Sequence, residues 1–404
     1  MISYLQSVLD TLLDKKGIQH AVIAVENGDR SISWFAADGA ADDTDRPMTP
    51  ETPYFIASIT KLYVATVVLR LAERGLVRLN ESFVTYVPPG IADRLHVLDG
   101  VDRTRNITVR HLLSHASGLA DYLEDKPKNG PPFIDRLFSQ RDRDVALTEV
   151  AHIVRDELTP HFPPQVLDAD NRVRVRYSDT NFRLLMAVVE TVLGCRWHEA
   201  VRMELLEPLK LLHTWAPGGQ PLEPTHMPAA LWAGDGILNA PRILESFGDL
   251  FSTVTDQLAF LRALLSGSAF NDPGTSRRMH EHWNAFGFDP TTPRLPGWPI
   301  EYGVGMMRFG LPRWLTPFSP VPQVVGHTGS TGCWLFYCPD LDVYTCGGVD
   351  QVSAGAIPFR VTPKVLRVLL KQQRSSPSST RSQSGKDVKG EPRRAPEAGW
   401  RRRP

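Results

Sequence analysis

Tyr54-Phe55-Ile56-Ala57-Ser58-Ile59-Thr60-Lys61-Leu62 sets a serine and a lysine three residues apart, immediately ahead of a long apolar run. If a helix begins at or just before Ser58, that spacing puts the hydroxyl and the ammonium side by side on its first turn. A serine hydroxyl is a weak nucleophile at neutral pH and needs a neighbouring base. A lysine in a partly desolvated site can have its pKa lowered enough to serve. The helix N-terminus adds unpaired N–H groups where an oxyanion would form. Taken alone, the same residues also describe a capping serine followed by a surface lysine. The sequence downstream favours a site: Leu62, Val64, Ala65, Val67, Val68, Leu69, Leu71 and Ala72 are apolar almost all round, until Glu73-Arg74-Gly75. A helix buried in this way has a cleft, rather than solvent, opening onto a first turn that carries serine and lysine.

Working outward, 404 residues with 42% hydrophobic content can hold one large unit of two lobes or two ordinary domains. The formal net charge is zero, so neither nucleic acid nor an anionic membrane is expected as a partner. Met1 to Asp10 lacks the basic, apolar and small-residue segments of a signal peptide and reads as an amphipathic helix. With no apolar run long enough to span a bilayer, a soluble, cytoplasmic protein is expected. Its four cysteines, Cys195, Cys333, Cys338 and Cys346, are then expected as reduced thiols. If Cys338 pairs near Val343 across the 339–342 turn, Cys333 and Cys346 share one sheet face as diagonal neighbours.

Ala21-Val22-Ile23-Ala24-Val25 and Ser31-Ile32-Ser33-Trp34-Phe35 flank an Asn27-Gly28 hairpin signal. A short helix is expected within Ile107–Leu119 and another near 147–157. Stronger helices are expected from Ser178 or Asp179 to Gly194, from Ser252-Thr253 to Gly267, and from Thr362 to Leu370. Residues 268–320 read as a proline- and tryptophan-rich irregular excursion around a pocket mouth, and His280-Glu281-His282 as a solvated helix face. Strands return at Tyr302–Met307, Gln323–His327, Trp334–Cys338 and Val343–Cys346. Strands at both ends with helices between predict an α+β fold, in which an antiparallel sheet built from both termini is flanked by helices and carries an inserted helical lobe. The expected catalytic domain is 1–372, with a sheet lobe at about 1–85 and 245–372 and a helical lobe at about 86–244. Residues 373–404 form a basic tail too poor in apolar residues to pack and are expected to be disordered.

Two further motifs complete the pattern. Arg176-Tyr177-Ser178-Asp179 stands immediately before a helix, and Gly326-His327-Thr328-Gly329-Ser330 ends a strand. Each has a bland reading, a half-buried tyrosine beside a cap and a glycine-rich bend. In this order and at these separations, Ser58-x-x-Lys61, Tyr177-x-Asp179 and His327-Thr328-Gly329 resemble the three motifs of the serine β-lactamase and penicillin-binding-protein-like hydrolases. The closest resemblance is to the class C, DD-peptidase and esterase branch. Stretches 111–119, 251–256 and 302–305 are similar too, so the resemblance covers nearly all of residues 1–370.

The resemblance implies a β-lactamase/transpeptidase-like fold and a cytoplasmic serine hydrolase cleaving a small ester or amide. Ser58 would form the acyl-enzyme, with Lys61 and Tyr177 moving its proton. Backbone N–H groups of Ser58 and Ser330 would hold the oxyanion. His327 would line the cleft, with Asp179, Thr328 and Gly329 on the substrate-binding side. No metal and no cofactor is implied. The pair His111 and His115 lacks a zincin glutamate and reads as structural. Asp179 departs from the asparagine typical of the family; an ionised aspartate can only accept hydrogen bonds, and near Lys61 it would favour the charged ammonium and shift more of the base role toward Tyr177, changes that esters tolerate better than β-lactams or peptides. An acyltransferase or peptide cyclase using the same serine and a ligand-binding pseudoenzyme are the alternatives. Retention of serine, lysine and tyrosine together speaks against the latter.

Overall fold

The computed structural model describes residues 1–167, 173–287, 294–314, 316 and 320–375. The basic tail lies almost wholly outside them. Helix α1 (Ile2–Leu13) leads into the hairpin of β1 (His20–Asn27) and β2 (Ser33–Gly39). After α2 (Thr60–Glu73) the middle of the chain is helical, with α3 (Val109–Leu113), α4 (Asp179–Leu193), α5 (Val254–Ser266) and several shorter pieces. Strands β5 (Asn284–Ala285), β6 (Ile300–Tyr302), β7 (Met307–Phe309), β8 (Val324–Thr328), β9 (Trp334–Cys338) and β10 (Val343–Gly348) precede the last helix, α6 (Ile357–Ser375). Between these groups, β3 (Tyr54–Phe55) and β4 (Phe251–Ser252) pair apart from the main sheet.

The main sheet has eight antiparallel strands in the order β2-β1-β10-β9-β8-β7-β6-β5. The chain's two ends meet where Val22 pairs with Gly348 and Asn27 with Val343. Both sheet faces are covered, which is why β1 carries the unbroken apolar run Ala21-Val22-Ile23-Ala24-Val25 rather than an alternating pattern. Ala21, Ile23 and Val25 pack with Leu5, Leu9 and Leu12 of α1 and Val361, Val365 and Leu369 of α6. Val22 and Ala24 face the larger core that encloses α2, α4 and α5. Eleven residues of α2 are buried, from Thr60 to Leu71, as its all-round apolar sequence requires.

Three local expectations change. Tyr302–Met307 is a hairpin rather than one strand, because Gly305 turns the chain at φ +71°. A Cβ there would come within 2.2 Å of the Ala65 methyl on α2. Residues 268–320 are not wholly irregular, since they supply three of the eight strands. His280-Glu281-His282 is not helical: a 3-10 turn ends at Met279, and Asn284 is drawn into the ladder with Tyr302. The cysteines are free thiols, and Cys338 pairs with Val343, which leaves Cys333 and Cys346 diagonal on one face.

Candidate active site

The turn that carries Ser58 is held from two sides. Strand β3 pairs with β4; Ile56 N–H donates to Leu250 O at 2.9 Å, and Leu250 N–H to Thr60 Oγ1 at 3.0 Å. Ser58 then lies in a 3-10 turn, Ala57–Ile59, that runs straight into α2. Ala57 is left-handed at φ 44°, a conformation that costs a non-glycine residue roughly 1 kcal/mol and persists only under such clamping. On the other side the end of β8 presses against it. A Cβ on Gly329 would meet the Ala57 methyl and Ile56 O at 2.9 Å and Cys333 Sγ at 2.4 Å, so only glycine lets the two segments approach. Among the described residues, neither the Ser58 nor the Ser330 backbone N–H finds an acceptor in the protein.

On the opposite wall, α4 begins at Asp179. The cap position is Ser178, but its hydroxyl donates to Ala120 O at 3.1 Å instead of capping. The Asp179 N–H is taken by the buried Asp121 carboxylate at 2.5 Å. This frees the Asp179 side chain, which turns to Lys61: Lys61 Nζ donates to Asp179 Oδ1 at 2.5 Å and to Ser58 Oγ at 2.9 Å. The Lys61 side chain is 6% exposed and that of Asp179 21%. Lys61 Nζ also sits over the Tyr177 ring, 5.1 Å from its centroid.

Of the two opposing effects expected on Lys61, desolvation and a nearby carboxylate, the carboxylate wins. Burial of Lys61 pulls its pKa down, but Asp179, Tyr177 and Asp249 outweigh it and hold the ammonium well above its ordinary range. The resting lysine is therefore charged, not a desolvated free amine. Burial likewise raises Tyr177, opposed by Lys61, so its phenol is neutral at physiological pH.

His327 is brought next to this group but does not line the cleft. It is fully buried; Nδ1 lies 2.7 Å from Thr328 O and Nε2 3.1 Å from the Tyr302 hydroxyl. With Nδ1–H donating to the carbonyl, Nε2 accepts from Tyr302, and no ring nitrogen is left for substrate. Burial and Lys61 push its pKa down to about 3. Its ring belongs to an aromatic cluster with Tyr177, Tyr302, His115 and Phe286, which fixes the Tyr177 ring from behind. Thr328 is buried at the end of β8, whereas Ser330 is exposed. His111 and His115 are structural as expected: His111 closes a capping box with Thr108, and His115 Nδ1 accepts from Ser178 N–H at 3.2 Å.

Three participants were not singled out from sequence. Tyr302 orients His327, Asp121 holds the start of α4, and Asp249, in the segment before β4, adds to the charges that raise Lys61. Each has a sequence cue: Tyr302 opens the 302–305 stretch, and Asp121 and Asp249 stand beside the 111–119 and 251–256 stretches.

Comparisons with known proteins bear on the family and the fold. A penicillin-binding protein of Bacillus subtilis (strain 168) is 24% identical over 215 residues, 52% of this chain and 41% of that one. Esterase EstB of Burkholderia gladioli is 36% identical over 124 residues, 30% of this chain and 29% of the esterase. This chain thus aligns with less than half the length of such curated relatives. Among solved structures, the D-amino acid amidase of Ochrobactrum anthropi SV3 in complex with D-phenylalanine superposes with a TM-score of 0.70 at 19% identity, covering 92% of this chain and 99% of the amidase. The sheet and the helices are those of a β-lactamase/transpeptidase-like fold. With the Beta-lactamase family model matching residues 5–349, the chain belongs to that family of serine hydrolases.

Proposed function

We propose that this enzyme cleaves small esters, in preference to β-lactams or peptides, through an acyl-enzyme on Ser58. The observation that carries the reading is the continuous Ser58–Lys61–Asp179 chain of hydrogen bonds at 2.9 and 2.5 Å, beside two backbone N–H groups free for an oxyanion. Because Lys61 rests as an ammonium, it passes a proton to a neighbouring carboxylate before it takes the Ser58 proton. Ser58 Oγ then attacks the carbonyl carbon, and the Ser58 and Ser330 N–H groups hold the oxyanion. Tyr177 gives its proton to the departing alkoxide and is reprotonated from Lys61. Water resolves the acyl-enzyme by the reverse sequence.

Two features support esters. Asp179 offers no donor to an amide carbonyl. His327, neutral and buried, offers no positive charge to a substrate carboxylate, so the cleft has little to hold the anionic group of a penicillin. Four free thiols, three of them buried, support a cytoplasmic setting; no helix among the described residues is long and apolar enough to cross a membrane. The test is a p-nitrophenyl ester chain-length series run beside a chromogenic cephalosporin, with a fluorophosphonate probe on Ser58. Short acyl esters should turn over and the cephalosporin hardly at all. A cephalosporin cleaved as efficiently as the best ester would overturn the preference.

A further inference from the structure

A cleft of about 620 Å³, within the size range of ligand sites, opens beside the C-terminal end of α2. Three arginines line it from three separate segments: Arg78 after α2, Arg110 on α3 and Arg278 on the 3-10 turn that ends at Met279. Backbone hydrogen bonds lock these segments together. Arg110 N–H donates to Leu79 O at 2.8 Å, Gly305 N–H to Leu113 O at 2.8 Å and Val304 N–H to Met279 O at 3.0 Å. The buried residues Val77 and Val304 give the cleft an apolar part. Its cations are unspent. Arg70 and Arg74, at the same end of α2, both pair with Glu204. By contrast, among the described residues the guanidinium groups of Arg78, Arg110 and Arg278 have no carboxylate within 4.0 Å and no hydrogen bond within 3.5 Å. Nearby acids are already engaged: Glu73 accepts from the N–H groups of Asn271 and Asp272 and from the Thr275 hydroxyl, and Glu81 accepts from the Tyr86 hydroxyl. The end of α2 does not use the cations either, because Arg70 O, Leu71 O and Ala72 O accept the N–H groups of Arg74, Leu76 and Gly75. Glu281 also lines the cleft, so three cations there face one carboxylate.

We propose that this cleft is a second binding site, apart from the serine centre, and that it takes an organic phosphate. A guanidinium presents its donors as a planar fork that matches phosphate oxygens in pairs. Forks arriving from three segments suit a tetrahedral phosphate, which offers acceptors in several directions. A planar carboxylate takes a fork only in its own plane. The apolar surface of Val77 and Val304 then meets the organic part of the ligand, in the usual manner of a site with few polar groups on an apolar lining. Because the three segments are held by their own backbone bonds, binding need not order them first, and little affinity is lost to that cost. Lys61 and Ala72 lie about 16 Å apart along α2. The ligand in this cleft therefore does not reach the Ser58–Lys61 pair, and the inference stands independently of the acyl-enzyme reading.

Calorimetric titration of the full chain with phenyl phosphate and with malonate, both dianions at about pH 8, tests this at fixed ionic strength. Phenyl phosphate should bind one per chain with a Kd below about 1 mM, and malonate at least about fivefold more weakly. Arg78→Ala and Arg278→Ala, at exposed positions, should each weaken phenyl phosphate by about fivefold or more, and Glu281→Gln should tighten it. Arg110 is half-buried, so Arg110→Ala is read beside Arg110→Lys, which keeps the charge and loses the fork; the lysine variant should lose less. Two variants serve as controls: Arg360→Ala, at an exposed position on α6, and Ser58→Ala should both bind as the parent does. No saturation by about 10 mM phenyl phosphate overturns the proposal, as does malonate binding equally well. An equal loss in Arg360→Ala would show general attraction of anions to surface charge. A changed Kd in Ser58→Ala would place the ligand at the serine instead, and either result overturns the assignment of the cleft.

Discussion

At the scale of single residues, the site is a charge balance around one ammonium. Ser58, Lys61 and the carboxylates act as a unit, so Ser58→Ala and Lys61→Ala should each lower turnover by several orders of magnitude. The double variant should be scarcely worse than either. A double variant whose loss is the product of the two single losses would show that they act independently. Asp179→Asn has a predicted sign as well. Removing a carboxylate 2.5 Å from Nζ lowers the proton affinity of Lys61 and restores an amide donor on the cleft wall. The ratio of β-lactam to ester turnover should therefore rise, measured with the cephalosporin and the best p-nitrophenyl ester side by side. An unmoved ratio would mean that Asp179 does not set the preference. Of this balance, Ser58, Lys61, Tyr177 and Asp179 could be read from motif spacing. The sign of the Lys61 shift could also be read from the carboxylate at Asp179, whereas the part played by Asp249 could not, because it depends on which distant carboxylates the fold gathers around a buried amine.

At the scale of elements, the decisive contact is the end of β8 against the turn before α2. Gly329→Ala adds one methyl where backbone and Cys333 Sγ already fill the space. Either β8 or Ala57 must then move, and the Ser330 N–H moves with it. A loss of more than tenfold in kcat is expected, with a cost of about 1–3 kcal/mol in stability from overpacking. Esterase assay and thermal unfolding of the purified variant check both. Full activity would show that the approach of the two segments is not what places the oxyanion donors. The helices α2, α4 and α5 were legible because each carries an apolar pattern and a terminal glycine. The split of Tyr302–Met307 into a hairpin was hidden: its residues suit a strand, and only the pressure of Ala65 on Gly305 makes them turn.

At the scale of the whole molecule, the raised carboxyl of Asp249 has a consequence for stability. Between about pH 4 and pH 7 the folded protein keeps a proton on Asp249 that the unfolded chain has released. The folded pKa lies above the unfolded one, so this contribution is largest below the unfolded value and is lost as pH rises through the folded value. Asp249→Asn should then raise Tm relative to the parent at pH 8 and leave it nearly unchanged at pH 4. Equal Tm differences at both pH values would contradict it. By itself, the sequence determined the α+β class, the meeting of both termini in one antiparallel sheet, the buried helix behind Ser58 and the three motifs of the site. All of these follow from periodicity, turn residues and local spacing, which act over a few residues. Only the tertiary structure decided that Asp249 adds to the charges that hold Lys61 as an ammonium, and that His327 is spent on Tyr302 and Thr328 rather than on substrate. Those outcomes depend on which distant side chains share a low-dielectric space, and no short-range pattern in the chain records that.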